Sequence, residues 1–579
     1  MPRPTAVQGS SDFDRRRLRR LHRNRRKHNL VETPFYLAIK WHTIDVIASF
    51  APFPDTFFQN CQFDFLCATP EKTSYPLQGR SPRRRNGEIM SLDATPVTLG
   101  KEPGTAQPAG RTGTALAIIV VVQLMLTIDL MIVTVALPSI GRDLGYSENG
   151  LAWVVNAYGL ALGGLMLLGG RLGDTFGRRR IFLGGIVLFT VASLVGGFAM
   201  TGWWFLACRG LQGVGAALVM PNCLALILSL FPAGPERTKA IATSAAASSS
   251  GAVVGLLLGG VLSTGLSWRW VMFVNVPVGI AVFVLAPLYI REQARIRGKF
   301  DIAGALTSAL GVALLVYGLS HAGESGWSTV SVWLPILVGA ALFVAFTMVE
   351  RQAAQPIMPL SLFRDRNRVT AYISAVLVTG TMIGQAFFLT MYLQGPLGFS
   401  ALLTGFAFLT TGFALVISST LVIGLMQKIG ERWMTFLGAL LLVAGNLWLT
   451  TLSLDSGYWG TIFGPLALTG VGMAATLIPA TEMAGAGVES DNYGSASSTY
   501  NTMLQLGGPL VLAILVTVLT SAAKGITVPA DVPADQADHY VLTASMAPGF
   551  MTATILAIGV AVTSLFIRRS TPAAVPVPA

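Results

Sequence analysis

Two side chains that hydrocarbon normally excludes stand inside long apolar runs of this sequence: Asp129, within residues 114–137, and Arg209, within residues 203–227. On insertion scales a charged residue at the centre of a membrane helix costs about 2.5–3.5 kcal/mol, so each needs a reason to be there. A carboxyl that meets water alternately from two sides can load and unload a proton, because burial disfavours its charged form and hydration restores it. Asp129 is therefore a candidate proton-coupling site; the alternative is a carboxylate neutralised by a neighbouring donor that only holds helices together. Arg209 has two readings as well: a fixed positive charge that tunes proton release, or a guanidinium bonded to helix carbonyls and to Gln212 one turn on.

Uncharged polar and aromatic side chains in other apolar runs could line a cavity for a small molecule. In the first part of the chain these are Gln123, Trp153, Asn156, Tyr158 and Gln212; in the second they are Gln385, Asn501 and Gln505. For each the competing role is a hydrogen bond between helices. Enzymatic constellations find no footing, since the sequence has no GxxxxGK[ST] phosphate loop, no HExxH and no GxSxG elbow. Cys61, Cys67, Cys208, Cys223 and the five histidines are scattered without a disulfide or metal-ligand spacing. The chain reads as a non-enzyme with no cofactor or metal, driven by a gradient rather than by ATP.

Such residues need long helices to position them, and the composition supplies these. The 579 residues are 53% hydrophobic and 12% charged, with a mean hydropathy of +0.62, against roughly 45–50% apolar and about 25% charged in soluble domains. Windows of about 19 residues predict an all-α polytopic membrane protein. Spans are expected near 114–137, 151–169, 179–200, 203–227, 240–263, 268–290 and 302–320. Seven more are expected near 330–349, 368–390, 402–425, 432–453, 459–480, 496–520 and 547–568, fourteen in all. Loop charge tests that number independently: Arg171, Arg178 to Arg180, Arg237, Lys239, Arg291, Arg351, Arg364, Lys428, Arg432 and Arg568 fall in one set of alternate loops. Only Arg142, Arg269 and Lys524 fall in the other. Because Lys and Arg gather on the cytoplasmic side, both chain ends are expected there, in a plasma membrane, with 521–547 the longest external loop.

Residues 1–112 stand apart. They carry much of the formal charge of +12, with the run RRRLRRLHRNRRKH from Arg15, and no sustained apolar span. The segment reads as a disordered extension or as an over-extended start with Met90 as the alternative, rather than as a nucleic-acid binder; a basic arm on anionic lipid headgroups is the functional option. Six-helix groups are expected over 113–290 and 367–579, with a linker and two further helices over 291–366. An internal echo supports this division: GRLGDTFGRRR (Gly170 to Arg180) and GLMQKIGERW (Gly424 to Trp433) each join two spans, with Gly177 matched by Gly430.

At these residues the chain resembles the major facilitator superfamily. The segments IDLMIVTVALP (Ile128 to Pro138), LAWVVNAYGLA (Leu151 to Ala161), RGLQGVGAALVMP (Arg209 to Pro221) and SWRWVMFVNVPVG (Ser267 to Gly279) are similar to motifs of fourteen-helix drug/proton antiporters of the EmrB/QacA type. The resemblance implies two six-helix bundles with two additional central helices, coupling through Asp129 and Arg209, and export of hydrophobic or amphipathic drugs or natural products, cationic ones included. It implies a conformational gate in Gly170, Gly173, Asp174, Gly177, Arg178 and Arg179 that latches the halves in the outward-facing state; the spacing itself puts Asp174 at the start of the third span, where a helix dipole favours an anion. Gly251, Gly255, Gly259 and Gly260 resemble the glycine-rich antiporter motif, with Leu256 where Pro is usual and, elsewhere, Leu504 where Arg is common. Protons, a small-molecule substrate and the lipid bilayer are the expected partners of a functional monomer. An uncoupled or other-cation-coupled facilitator and a transporter-like sensor are the rival functions.

Overall fold

The structure, a computed structural model of the chain, describes residues 109–568 apart from 233, 293–301, 354–357 and 489–492. The basic segment expected over 1–112 thus lies outside the described residues except for its last four, which already belong to the first helix. Every long described element is helical. In chain order these are α1 (Ala109–Leu144), α2 (Glu148–Phe176), α3 (Arg178–Gly197), α4 (Gly202–Leu230), α5 (Pro235–Gly265), the short α6 (Arg269–Phe273) and α7 (Asn275–Tyr289). After them come α8 (Ile302–Ser325), α9 (Val330–Gln352), α10 (Arg366–Gln394), α11 (Ala401–Leu449), α12 (Phe463–Gly485), α13 (Tyr493–Ala523) and α14 (Ala537–Ser564).

Thirteen helical stretches among the described residues are long and apolar enough to cross a bilayer. One of them, α11, has 49 residues and breaks at Gly430, where φ is 84°. At 1.5 Å per residue it would be about 70 Å long, more than twice a hydrocarbon core, so it crosses twice and the crossings number fourteen. The sequence expectation of separate spans on either side of 430 therefore holds.

Local chemistry sets the turns. Ser147 caps α2 by accepting the Gly150 amide at 3.2 Å, and Ser400 caps α11 by accepting the Leu403 amide at the same distance. Tyr146 donates its hydroxyl to the Gly202 carbonyl and ties the α1–α2 turn to the start of α4. Burial pushes its phenol up to about 12, so it remains a donor across the physiological range. One boundary departs from expectation. The last helix begins at Ala537, ten residues before the span read from hydropathy, because Asp538 and His539 are polar but no Gly or Pro interrupts the turn. The expected external loop over 521–547 is correspondingly shorter.

Helices α1–α7 and α10–α14 form the two six-crossing groups. Their seam is closed at the end away from the Arg-rich loops, where Ile132, Leu137 and Val155 share one apolar core with Phe387, Tyr392 and Val516. There Gln394 donates to the Val135 carbonyl at 2.8 Å, and the Leu402 amide donates to Thr264 at 3.2 Å. The two additional helices are central in the sequence but lateral in space. Asn149 of α2 donates to the Ser320 carbonyl of α8 at 3.1 Å, and Thr517 of α13 donates to the Leu319 carbonyl at 2.6 Å, so α8 covers the outer side of the seam. Helix α9 packs on α8 where Gly311 and Gly339 face each other's carbonyls.

Candidate functional site

Asp129 lies midway along α1 with no exposed surface, and four other helices supply the groups of its cluster. Helix α4 can approach α2 closely because Gly213 leaves no side chain where a Cβ would strike the Tyr158 carbonyl. That approach sets Arg209, one turn earlier on α4 and 1% exposed, against α1 and α2. Arg209 Nη1 donates to Asp129 Oδ2 at 2.7 Å, its Nε to the Val154 carbonyl at 3.4 Å, and its Nη1 also to Gln212 Oε1 at 2.9 Å. The other carboxylate oxygen accepts from Asn275 Nδ2 of α7 at 2.7 Å and from Gln212 Nε2 at 3.2 Å. Gln212 further donates to Ser193 Oγ of α3 at 2.7 Å. Both charges are thus paired and hydrogen-bonded, the condition under which a buried ion pair is tolerated. Arg209 makes the bonds of its structural reading, to a helix carbonyl and to Gln212, and pairs with Asp129 as well.

The ring of Tyr158 closes this cluster. The guanidinium carbon of Arg209 sits 4.5 Å from its centroid, a cation–π contact, and its hydroxyl points to the Leu126 carbonyl at 3.5 Å. Tyr158, Leu126 and Leu130 also line a cavity of about 370 Å³ between the two groups, together with Gln123, Ser244, Ser248, Asn501 and Gln505. This cavity lies on the Arg-rich side of the closed seam: it is walled by the second half of α4 and by the first turns of α5 and α13. One aromatic ring separates it from the ion pair.

Of the residues read as cavity lining, Gln123, Tyr158, Asn501 and Gln505 are brought together here. Gln123 accepts from Ser244, Asn501 donates back to the Ser497 carbonyl at 2.9 Å, and Gln505 reaches Met220 Sδ at 3.7 Å. The other four are elsewhere. Gln212 belongs to the charge cluster instead, and Trp153 faces the additional helix α8, its ring centroid 6.1 Å from that of Tyr317. Asn156 is wholly buried with neither amide atom partnered. Gln385 is also buried, its Nε2 without a partner, and does not line this cavity. Asn275 and Ser193 escaped the sequence reading; the signal for Asn275 was an amide inside the apolar stretch after Trp270, whereas a lone serine in α3 carried none.

The loop between α2 and α3 is also corrected in one respect. Asp174 lies in the last turn of α2, not at the start of α3, and it is held by Arg178 Nη2 at 2.8 Å rather than by a helix dipole. Arg178 also donates to the Ala225 carbonyl at 3.2 Å and Arg179 to the Ile290 carbonyl at 3.0 Å, both within the first group. Gly177 has φ 108°, and a Cβ there would meet Glu292. Gly173 leaves room for Asn222, while at Gly170 a Cβ would meet only Pro221 at ordinary contact distance; the tight neighbour on that side is Gly169, which faces the Ala217 carbonyl. In α5, Gly251, Gly255 and Gly259 pack on α1 at Thr127, Ile128 and Ile132, and Gly260 packs on Ala401 and Leu402 of the other group. The helix runs unbroken through Leu256, so the motif acts here as a packing face.

Comparison with known proteins identifies the family of the fold. Residues 119–512 match the profile of the Major Facilitator Superfamily. The chain is 38% identical over 475 residues to the puromycin resistance protein of Streptomyces alboniger, covering 81% of this chain and 92% of that one. It is 36% identical over 451 residues to the cephamycin export protein of Amycolatopsis lactamdurans, covering 77% and 92%. In fold it is similar to a bacterial homologue of the human lysosomal transporter Spinster, with a TM-score of 0.57 at 16% identity over 79% of this chain and 97% of that one.

Proposed function

We propose that this chain, which belongs to the Major Facilitator Superfamily and is a multi-pass membrane transporter and not an enzyme, exports hydrophobic and amphipathic compounds in exchange for protons. One observation carries the coupling: Asp129 is fully buried, paired with Arg209, and a single ring away from the cavity. The names of two relatives, a cephamycin export protein and a puromycin resistance protein, support the direction and the class of cargo. The Arg-rich loops support a cytoplasmic position for their side, and for both ends of the fourteen-crossing unit, in a plasma-membrane protein. The cavity of this structure then faces inward, and its described walls, all from one chain, support a functional monomer.

In this state both carboxylate oxygens of Asp129 accept hydrogen bonds, from Arg209, Gln212 and Asn275. Rocking the two groups about the midplane opens the opposite end of the seam, so that water can reach the cluster from outside. A proton arriving there neutralises Asp129 and frees Arg209 as substrate departs; the return stroke re-forms the pair and expels the proton inward. With the cavity on the inner side, Arg178 and Arg179 of the Gly170–Arg180 loop hold carbonyls of the first group; the loop latches the two groups in the opposite state. One charge moving through 100 mV yields about 2.3 kcal/mol, and at about 1.4 kcal/mol per tenfold that sustains roughly a fortyfold gradient.

Everted vesicles with an acidic lumen test the coupling. Asp129→Asn should abolish gradient-driven accumulation while substrate exchange at equal pH persists, and Asp129→Glu should keep part of the accumulation. Uphill transport by the Asn variant would overturn the assignment, and accumulation driven by a sodium gradient alone would make another cation the coupling ion.

A further inference from the structure

We infer that the cargo this cavity accepts is uncharged: an amphipathic molecule carrying hydroxyl, carbonyl or amide groups rather than a permanent cation. The inference rests on the export reading above and narrows it. Among the described lining residues none is Asp, Glu, Lys or Arg. Polar capacity comes instead from amides and hydroxyls on facing walls: Gln123 of α1, Ser244 and Ser248 of α5, Asn501 and Gln505 of α13. Gln123 uses its carbonyl on Ser244, which leaves its NH₂ toward the cavity. Asn501 and Gln505 stand one turn apart on the same face of α13 and spend their NH₂ groups on the Ser497 carbonyl and the Met220 sulfur, which leaves two carbonyl acceptors. A donor facing two acceptors across a space walled by Leu126, Leu162, Met166 and Leu224 suits a neutral molecule with a few hydrogen-bonding groups.

The two devices by which a site holds a cation are both engaged elsewhere. The carboxylate of Asp129 is fully buried and neutralised by Arg209, Asn275 and Gln212. The ring of Tyr158, the one aromatic side chain among the described lining residues, already faces the protein's own guanidinium, whose positive field would oppose a second cation on the far face. A permanent cation would therefore leave water for a described lining with no counter-charge, a costly transfer.

The test uses proteoliposomes of the full chain and two probes of opposite kind: chloramphenicol, uncharged with hydroxyls and an amide, and tetraphenylphosphonium, a permanent cation. The expected result is proton-driven transport of the neutral probe at least tenfold more efficient than that of the cation, with Asn501→Ala lowering the neutral rate about tenfold. Gln505→Glu should raise binding of tetraphenylphosphonium about tenfold, measured directly by equilibrium dialysis, since it supplies the missing counter-charge. Proton-driven transport of tetraphenylphosphonium equal to or better than that of chloramphenicol would overturn the inference and leave the export reading standing. Transport of neither probe would overturn both.

Discussion

Gly145 and Ser147 ahead of α2 are matched by Gly398 and Ser400 ahead of α11, and Gly177 by Gly430; each pair lies 253 positions apart, as 398 does from 145, and all four glycines have positive φ. The two six-crossing groups therefore repeat the same turns around their second crossing. Their interiors are unlike. The same offset carried back into the preceding helix puts Met382 where Asp129 stands. The buried polar side chains of the second group's crossings are hydroxyls and amides such as Thr381, Gln385, Asn446 and Thr476, and the buried charge there, Arg368, sits in the first turn of α10 and donates to the carbonyls of Leu362 and Ala486. One scaffold, used twice, thus keeps its charge chemistry in one copy. The other copy contributes an uncharged wall to the cavity.

Removing one half of the ion pair should have the largest effect. Arg209→Ala strands a buried carboxylate and is expected to cost about 3–5 kcal/mol, read as a lower thermal midpoint in detergent; Asp129→Asn combined with Arg209→Gln should recover most of that stability without recovering coupling. The mirror experiment is Met382→Asp, which sets an unpaired acid into the second group and should destabilise it by several kcal/mol. By contrast Gln385→Leu, which removes an amide whose Nε2 has no partner, should shift the midpoint by the equivalent of about 1 kcal/mol or less.

The matched glycines allow a finer comparison. Alanine at either left-handed position costs about 1–2 kcal/mol in backbone strain. Gly177→Ala should cost more than Gly430→Ala, because its Cβ would also displace Glu292 while Gly430 has nothing within 4 Å. Smallest of all should be Asp143→Asn at the far end of α1. It breaks a half-exposed pair with Arg269 Nη1 at 2.6 Å, worth under about 1 kcal/mol, and should leave vesicle transport unchanged.

Much of the fold was legible because hydrophobic thickness sets helix length and loop charge sets sidedness, and both are written one residue at a time. Even the double crossing of α11 could be read, from the Lys428 to Arg432 loop. Asp129 and Arg209 were legible as oddities by the cost of a charge in hydrocarbon. Their direct pairing was not, since 80 positions separate them and the bond depends on which faces of α1 and α4 meet. The same blindness to helix rotation sent Gln212 and Trp153 into the cavity when one completes the charge cluster and the other packs on α8. It also concealed Asn275, whose apolar neighbours gave no hint that its amide turns inward. The repeat was seen at Gly177 and Gly430 but missed at Gly145 and Gly398, where two short turns share only a Gly-aromatic-Ser pattern.

The central claim is that the Asp129 carboxyl carries the transported proton, and proton movement itself is the most direct readout. Vesicles loaded with a pH-sensitive dye and given an exported compound should show proton flux opposite to that compound in the wild-type chain. Asp129→Asn should exchange the compound with no accompanying proton flux. Proton flux of wild-type size in that variant would contradict the account.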